Sequence, residues 1–172
     1  MADMISADRL LPCLLDRLTD EEPEAARESS DRRVMSMRRY REAVRRDLES
    51  LLNTSCHLDW ENINRFEHVA KSALNFGVPE LCGMTLSGLS TGDVERRIRQ
   101  AILQYEPRVL PDTLAVRVAT AAASSGSSSP GNSVTLEISG ELWAIPAPDP
   151  LYYRTEVDLE TGQFQIKDRS NG

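Results

Sequence analysis

The chain has 172 residues, 40% of them apolar, with a formal net charge of −7 at neutral pH. This suits one domain with a real core rather than disorder, and the acid excess argues against non-specific binding to nucleic acid or anionic membrane, which select Lys and Arg. Three widely spaced cysteines, Cys13, Cys56 and Cys82, form neither a disulfide framework nor a metal-ligand cluster, and no window approaches ~18 uninterrupted apolar residues. The expectation is a soluble cytoplasmic protein with no metal or cofactor and no membrane insertion of its own.

Residues 1–32 read as an N-terminal extension. It holds a short apolar run at 10–18, Leu-Leu-Pro-Cys-Leu-Leu-Asp-Arg-Leu, and an acidic linker at 19–30. Such a run either folds back on its own domain or docks on a partner. Residues 33–172 read as a single domain. From about 33 to 53 the apolar positions Met37, Tyr40, Val44, Leu48 and Leu51 recur at spacings of three and four, the stripe of an amphipathic helix. Arg38, Arg39, Arg41, Arg45 and Arg46 cover its other faces, as a solvated surface or as a match for an acidic partner.

Residues 60–74 predict another helix, with Phe66, Val69, Ala70 and Ala73 inward. Asn75 and Gly77 are left-handed terminators for it, and Pro79 seals the stop. Ser90, with Asp93 three residues on, resembles a helix N-cap. Val94, Ile98, Ala101, Ile102 and Tyr105 form the buried stripe of the helix it opens. Pro107 stops that helix near Tyr105, because it has no N–H to donate and pushes Glu106 out of the helical region.

Beyond Pro107 the period changes to two. Leu114, Val116 and Val118 mark one strand, Val134, Leu136 and Ile138 a second, and Tyr153, Thr155, Val157 and Leu159 a third. Phe164 and Ile166 add a short fourth after a Thr161-Gly162 turn. A Ser/Gly-rich hairpin tip at 121–132 separates the first two. The fold class that follows is α+β, a small antiparallel sheet of three to four strands with helices on one face. Its flanking strands, at 113–119 and 163–167, leave edges that are either protected or used for strand addition.

The junction of the helical and strand halves concentrates chemistry in Glu106, Pro107 and Arg108. If the chain is extended there, Glu106 and Arg108 project from the same face as a carboxylate and guanidinium pair. On these residues alone, a solvated Glu and an Arg matched to the helix dipole is the plainer interpretation. Cys56 beside His57, with His68 and Asp59 near, lacks an orienting group for nucleophilic catalysis. A glycosidase needs two carboxyls about 5 to 9.5 Å apart, and Glu49 and Glu106 are the candidates. Arg108 opposes proton donation by Glu106, however, and a 5% aromatic content offers few sugar platforms.

Five segments together resemble the TssE subunits of bacterial type VI secretion baseplates, relatives of the wedge protein that initiates the sheath in contractile phage tails. They are Pro12-Cys13-Leu14-Leu15-Asp16-Arg17-Leu18, Arg46 to Thr54, Leu74-Asn75-Phe76-Gly77-Val78-Pro79-Glu80-Leu81, Ala101-Ile102 through Tyr105-Glu106-Pro107-Arg108, and Asp158-Leu159-Glu160-Thr161-Gly162. The resemblance implies a non-enzymatic structural subunit at an inner-membrane-docked baseplate. Its implied partners are wedge proteins of the TssF, TssG and TssK type and sheath proteins of the TssB and TssC type. The Glu-Pro-Arg triplet is the signature, implying that Glu106, Pro107 and Arg108 contact the wedge core. The pair is then expected to serve a partner rather than the fold, so that truncating either residue leaves the isolated domain near its original stability. Some relatives have been labelled lysozyme-like, which keeps the hydrolase as the alternative. The long Ser/Gly tip departs from the family pattern.

Overall fold

The computed structural model describes residues 10, 12–19, 35–56, 65–79, 81, 90–119 and 133–168. The alternating segments become four strands, β1 (Ala115–Ala119), β2 (Ser133–Leu142), β3 (Asp149–Asp158) and β4 (Phe164–Asp168), paired antiparallel in simple meander order. The register sets Val116, Ile138 and Tyr153 side by side across three strands, and Val118, Leu136, Thr155 and Ile166 across all four. These rows form the inner face. The outer face carries the charged row Arg117, Glu137, Arg154 and Lys167, as the period of two requires.

The helices are α1 (Leu14–Leu18), α2 (Met37–Leu52), α3 (Glu67–Ala70) and α4 (Thr91–Tyr105). Helix α2 buries Tyr40, Val44, Leu48, Leu51 and Leu52, and α4 buries Val94, Ile98, Ala101 and Ile102, all in one core with the inner face of the sheet. Each fully buried Leu or Ile contributes about 1.5 to 3 kcal/mol, so these stripes hold the layers together. The fold is α+β, as the change of period predicts. Helix α2 starts at Ser36, whose hydroxyl accepts from the Arg39 N–H at 3.3 Å. Ser90 sits at the start of α4 but makes no side-chain cap; its carbonyl takes the first backbone bonds instead.

The helix expected over 60–74 is not continuous among the described residues. Only Glu67–Ala70 is α-helical, and Ser72 accepts from the Leu74 N–H to start a separate 3-10 turn, Ala73–Asn75. Phe66 and Ala73 face outward as a result, against the expected stripe. Asn75 is not left-handed, whereas Gly77 is, at φ 128°. The Gly77 corner presses on the exit of α2. The Val78 N–H bonds the Thr54 carbonyl at 2.8 Å and the Cys56 N–H bonds the Val78 carbonyl at 3.0 Å. His57, Asp59, Cys82, the hairpin tip at 121–132 and all of the 19–30 linker except Thr19 lie outside the described residues. Among the described residues no helix is long and apolar enough to cross a membrane.

Both outer strands keep their predicted edge positions, but they are guarded differently. On β1, Glu95 accepts from the Val118 N–H at 2.8 Å and Arg99 donates to the Leu114 carbonyl at 3.0 Å, so one face of α4 staples that edge. On β4, the Asn53 amide bonds both the N–H and the carbonyl of Phe164, at 2.9 and 3.0 Å. Since Gln163 turns its carbonyl toward β3, alternation points the backbone groups of Ile166 and Asp168 away from the sheet.

A Cβ on residue 77 would lie 2.3 Å from the Thr54 carbonyl oxygen. Gly77→Ala is therefore expected to lower unfolding stability by about 3 kcal/mol or more, from backbone conformation and collision together. Urea denaturation, with Gly92→Ala in open space as control, measures it.

Candidate functional site

Helix α4 ends as expected at Tyr105, and the Glu106 N–H makes its closing bond to the Ile102 carbonyl at 2.8 Å. The chain then turns rather than extends, with the Val109 N–H returning to the Glu106 carbonyl at 3.2 Å. Pro107 occupies the second position of that turn, where its fixed φ is favoured. Residues Glu106 and Arg108 still meet, because the Arg108 side chain folds back across the turn. Its Nε donates to Glu106 Oε1 at 2.6 Å and its Nη2 to Oε2 at 2.5 Å, while the Arg108 N–H also reaches Oε1 at 3.1 Å.

A third charge completes the cluster. Arg108 Nη2 donates to Asp47 Oδ2 on α2 at 2.6 Å, so two carboxylates clamp one guanidinium. Burial works against the Arg108 charge, but the hydrogen bonds and charge of Glu106, then those of Asp47, outweigh it and hold the proton more tightly than usual. Tyr40 stands close enough to feel both charges of the pair. Burial raises its pKa above the ordinary value, with Arg108 pulling it down and Glu106 pushing it up.

The elbow continues into the end of β2. Val109 bridges Leu142, the Leu110 N–H bonds the Glu141 carbonyl at 2.9 Å, and the Trp143 N–H bonds the Arg108 carbonyl at 2.8 Å. Tyr40 donates its hydroxyl to the Trp143 carbonyl at 2.9 Å. With Leu142 and Ala144 buried, Trp143 and Ile145 turn outward, and Trp143 is 48% exposed. Trp143 did not stand out in the sequence. The signal was its place between two small or aliphatic inward residues, a pattern that also fits an ordinary strand end.

The three elbow residues differ in access. Glu106 is 3% exposed, Pro107 is exposed and Arg108 is intermediate. Glu106 is thus an internal brace as well, whose loss would leave the half-buried Arg108 charge with Asp47 as its remaining carboxylate among the described residues. With Glu106 buried and bonded through both oxygens, its truncation is expected to lower stability rather than leave it unchanged.

The hydrolase candidates are engaged in different contacts. Glu49 pairs with Arg45 and lines a cavity of about 560 Å³ beside Asn53, Val78 and Phe164, and that cavity does not reach Glu106. Glu106 itself is locked to Arg108 rather than set in the apolar site a proton donor needs. His68 is exposed. Among the described residues no group of His, Cys, Asp and Glu is placed to hold a metal ion.

Residues 38–147, well over half of the chain and including the whole elbow, match the family described as baseplate wedge protein gp25. No curated protein and no solved structure matches.

Glu106→Ala is expected to cost about 2 to 4 kcal/mol in urea unfolding, with Asp47 left as partner for Arg108. Glu106→Gln, which keeps one acceptor oxygen, should lose less than Ala.

Proposed function

Because the chain belongs to the baseplate wedge protein gp25 family and so has a structural role in a baseplate, we propose that it is a non-enzymatic wedge subunit of a type VI secretion baseplate. Residues 33–172 act as one domain, in the cytoplasm, at a baseplate docked on the inner membrane. The elbow meets the wedge core, formed by subunits of the TssF, TssG and TssK type, and the sheet starts the sheath of TssB- and TssC-type proteins. One observation carries the contact: a guanidinium held by two carboxylates at the rim of exposed Pro107 and Trp143. A charge already fixed in place loses little further entropy on docking, and Arg and Trp are the residue types that anchor interfaces. Glu106 takes part by aiming Arg108 from beneath.

For the sheath, strand addition at β4 is the fitting geometry. The β1 edge is stapled by two side chains of α4, while among the described residues the side-chain cap on β4 is the one at Phe164. An extended sheath segment pairing with Ile166 and Asp168 would continue the sheet, and each new layer could copy the pairing below it.

Arg108→Lys and Trp143→Ala are expected to weaken binding to a purified TssF–TssG-type subcomplex by about 30-fold, roughly 2 kcal/mol. Trp143→Ala should leave the melting temperature near wild type, since the ring is half exposed. Wild-type affinity in both variants, by calorimetry or interferometry, defeats the assignment.

Asp168→Pro removes an outward N–H of β4 without touching the bonds to β3. It should block sheath polymerisation while sparing wedge assembly. Normal sheath in electron micrographs would mean that β4 is not the template.

A further inference from the structure

Helix α1 is mounted with its apolar side outward. Leu14, Leu15 and Leu18 are 70%, 59% and 74% exposed, although burying a leucine is worth about 1.5 to 3 kcal/mol. The polar side is the one that faces the domain. Asp16 Oδ1 accepts from Arg46 Nη1 at 2.6 Å, and its other oxygen accepts from the Cys13 thiol at 2.9 Å. Just before the helix, the Leu10 carbonyl accepts from the Met35 N–H at 2.9 Å, and Leu10 packs on the core. The segment is thus fastened at two points and still presents three leucines to water.

Its anchor leads straight to the elbow. Arg46 Nη2 bonds Asp47 Oδ1 at 2.8 Å, and Asp47 Oδ2 accepts from Arg108 at 2.6 Å. A continuous run of charges, Asp16, Arg46, Asp47, Arg108 and Glu106, therefore ties α1, α2 and the elbow into one surface. We propose that α1 is a docking helix, its three leucines entering an apolar groove on the same wedge subunit that grips Arg108. This rests on the wedge role proposed above.

The surface itself selects among occupants. Three leucines on a five-residue helix fall far short of the roughly 800 Å² per partner of a standard stable interface, so a pair of α1 helices would not hold a dimer by themselves. A membrane-seeking helix needs a longer apolar face beside a basic one, and α1 has a single arginine, Arg17. Linked to Arg108 through Asp16, Arg46 and Asp47, the leucines instead add an apolar element to a fixed charge run, a combination that a heterologous partner covers.

The test uses the full chain with Leu14, Leu15 and Leu18 all changed to Ser, beside Arg46→Ala, which keeps the leucines but releases Asp16. Both should retain a near wild-type melting temperature. The triple variant should bind the purified TssF–TssG-type subcomplex at least tenfold more weakly, and Arg46→Ala several-fold more weakly. If the triple variant binds as wild type while Arg108→Lys is impaired, α1 is not a docking helix and the wedge role survives. If wild type itself fails to bind, the wedge role falls and the inference with it. A wild-type dimer in sedimentation that the triple variant abolishes, or binding to liposomes lost in the triple variant, would overturn it in favour of a second copy or a membrane.

Discussion

The rest of the molecule turns on one guanidinium shared between two carboxylates. Arg108 joins the end of α4, through Glu106, to the middle of α2, through Asp47, and its carbonyl holds the start of the segment after β2. Three parts of the chain meet at that one residue, two at its side chain and one at its carbonyl. A charge so placed costs desolvation, and it is tolerable only because both oxygens of Glu106 and one of Asp47 answer it. What results is a corner with little freedom. Its accessible parts, Pro107 and one side of Arg108, inherit that rigidity.

The same economy governs the sheet. Its inner face is committed to the core, its outer face to a row of charged side chains, and the two edges are treated unequally. Side chains of α4 close β1, whereas α2 lends β4 a single asparagine whose amide imitates one residue of a neighbouring strand. An amide side chain is an easier group to displace than two charged ones tied to a helix. The asymmetry is the reason the proposed strand addition is placed at β4.

Helix α1, the charge run and the elbow form one continuous side of the protein, with the β4 edge as a separate feature. The role proposed above calls for two separate faces, and the chain offers one of side chains and one of backbone. The first suits selectivity for a single partner, through fixed charge and aromatic anchors. The second suits repetition, because backbone pairing is indifferent to sequence.

Local periodicity by itself determined a great deal. The stripes of α2 and α4, the stop at Pro107, the four strands and the turn at Gly162 were all legible, because each follows from spacing or from the conformational limits of Pro and Gly. Where local signals competed, sequence misled: Ser72 broke the helix expected over 60–74, and Ser90 left its capping role to the backbone. The pairing of Glu106 with Arg108 could be foreseen from two residues either side of a proline. Its burial could not, because Asp47 lies 61 residues away and Trp143 further on. Nor could sequence say that α1 would turn its leucines outward, since that depends on Arg46 reaching Asp16 across 30 positions. Charge partners and exposed faces are properties of long-range packing, and only the tertiary structure decided them.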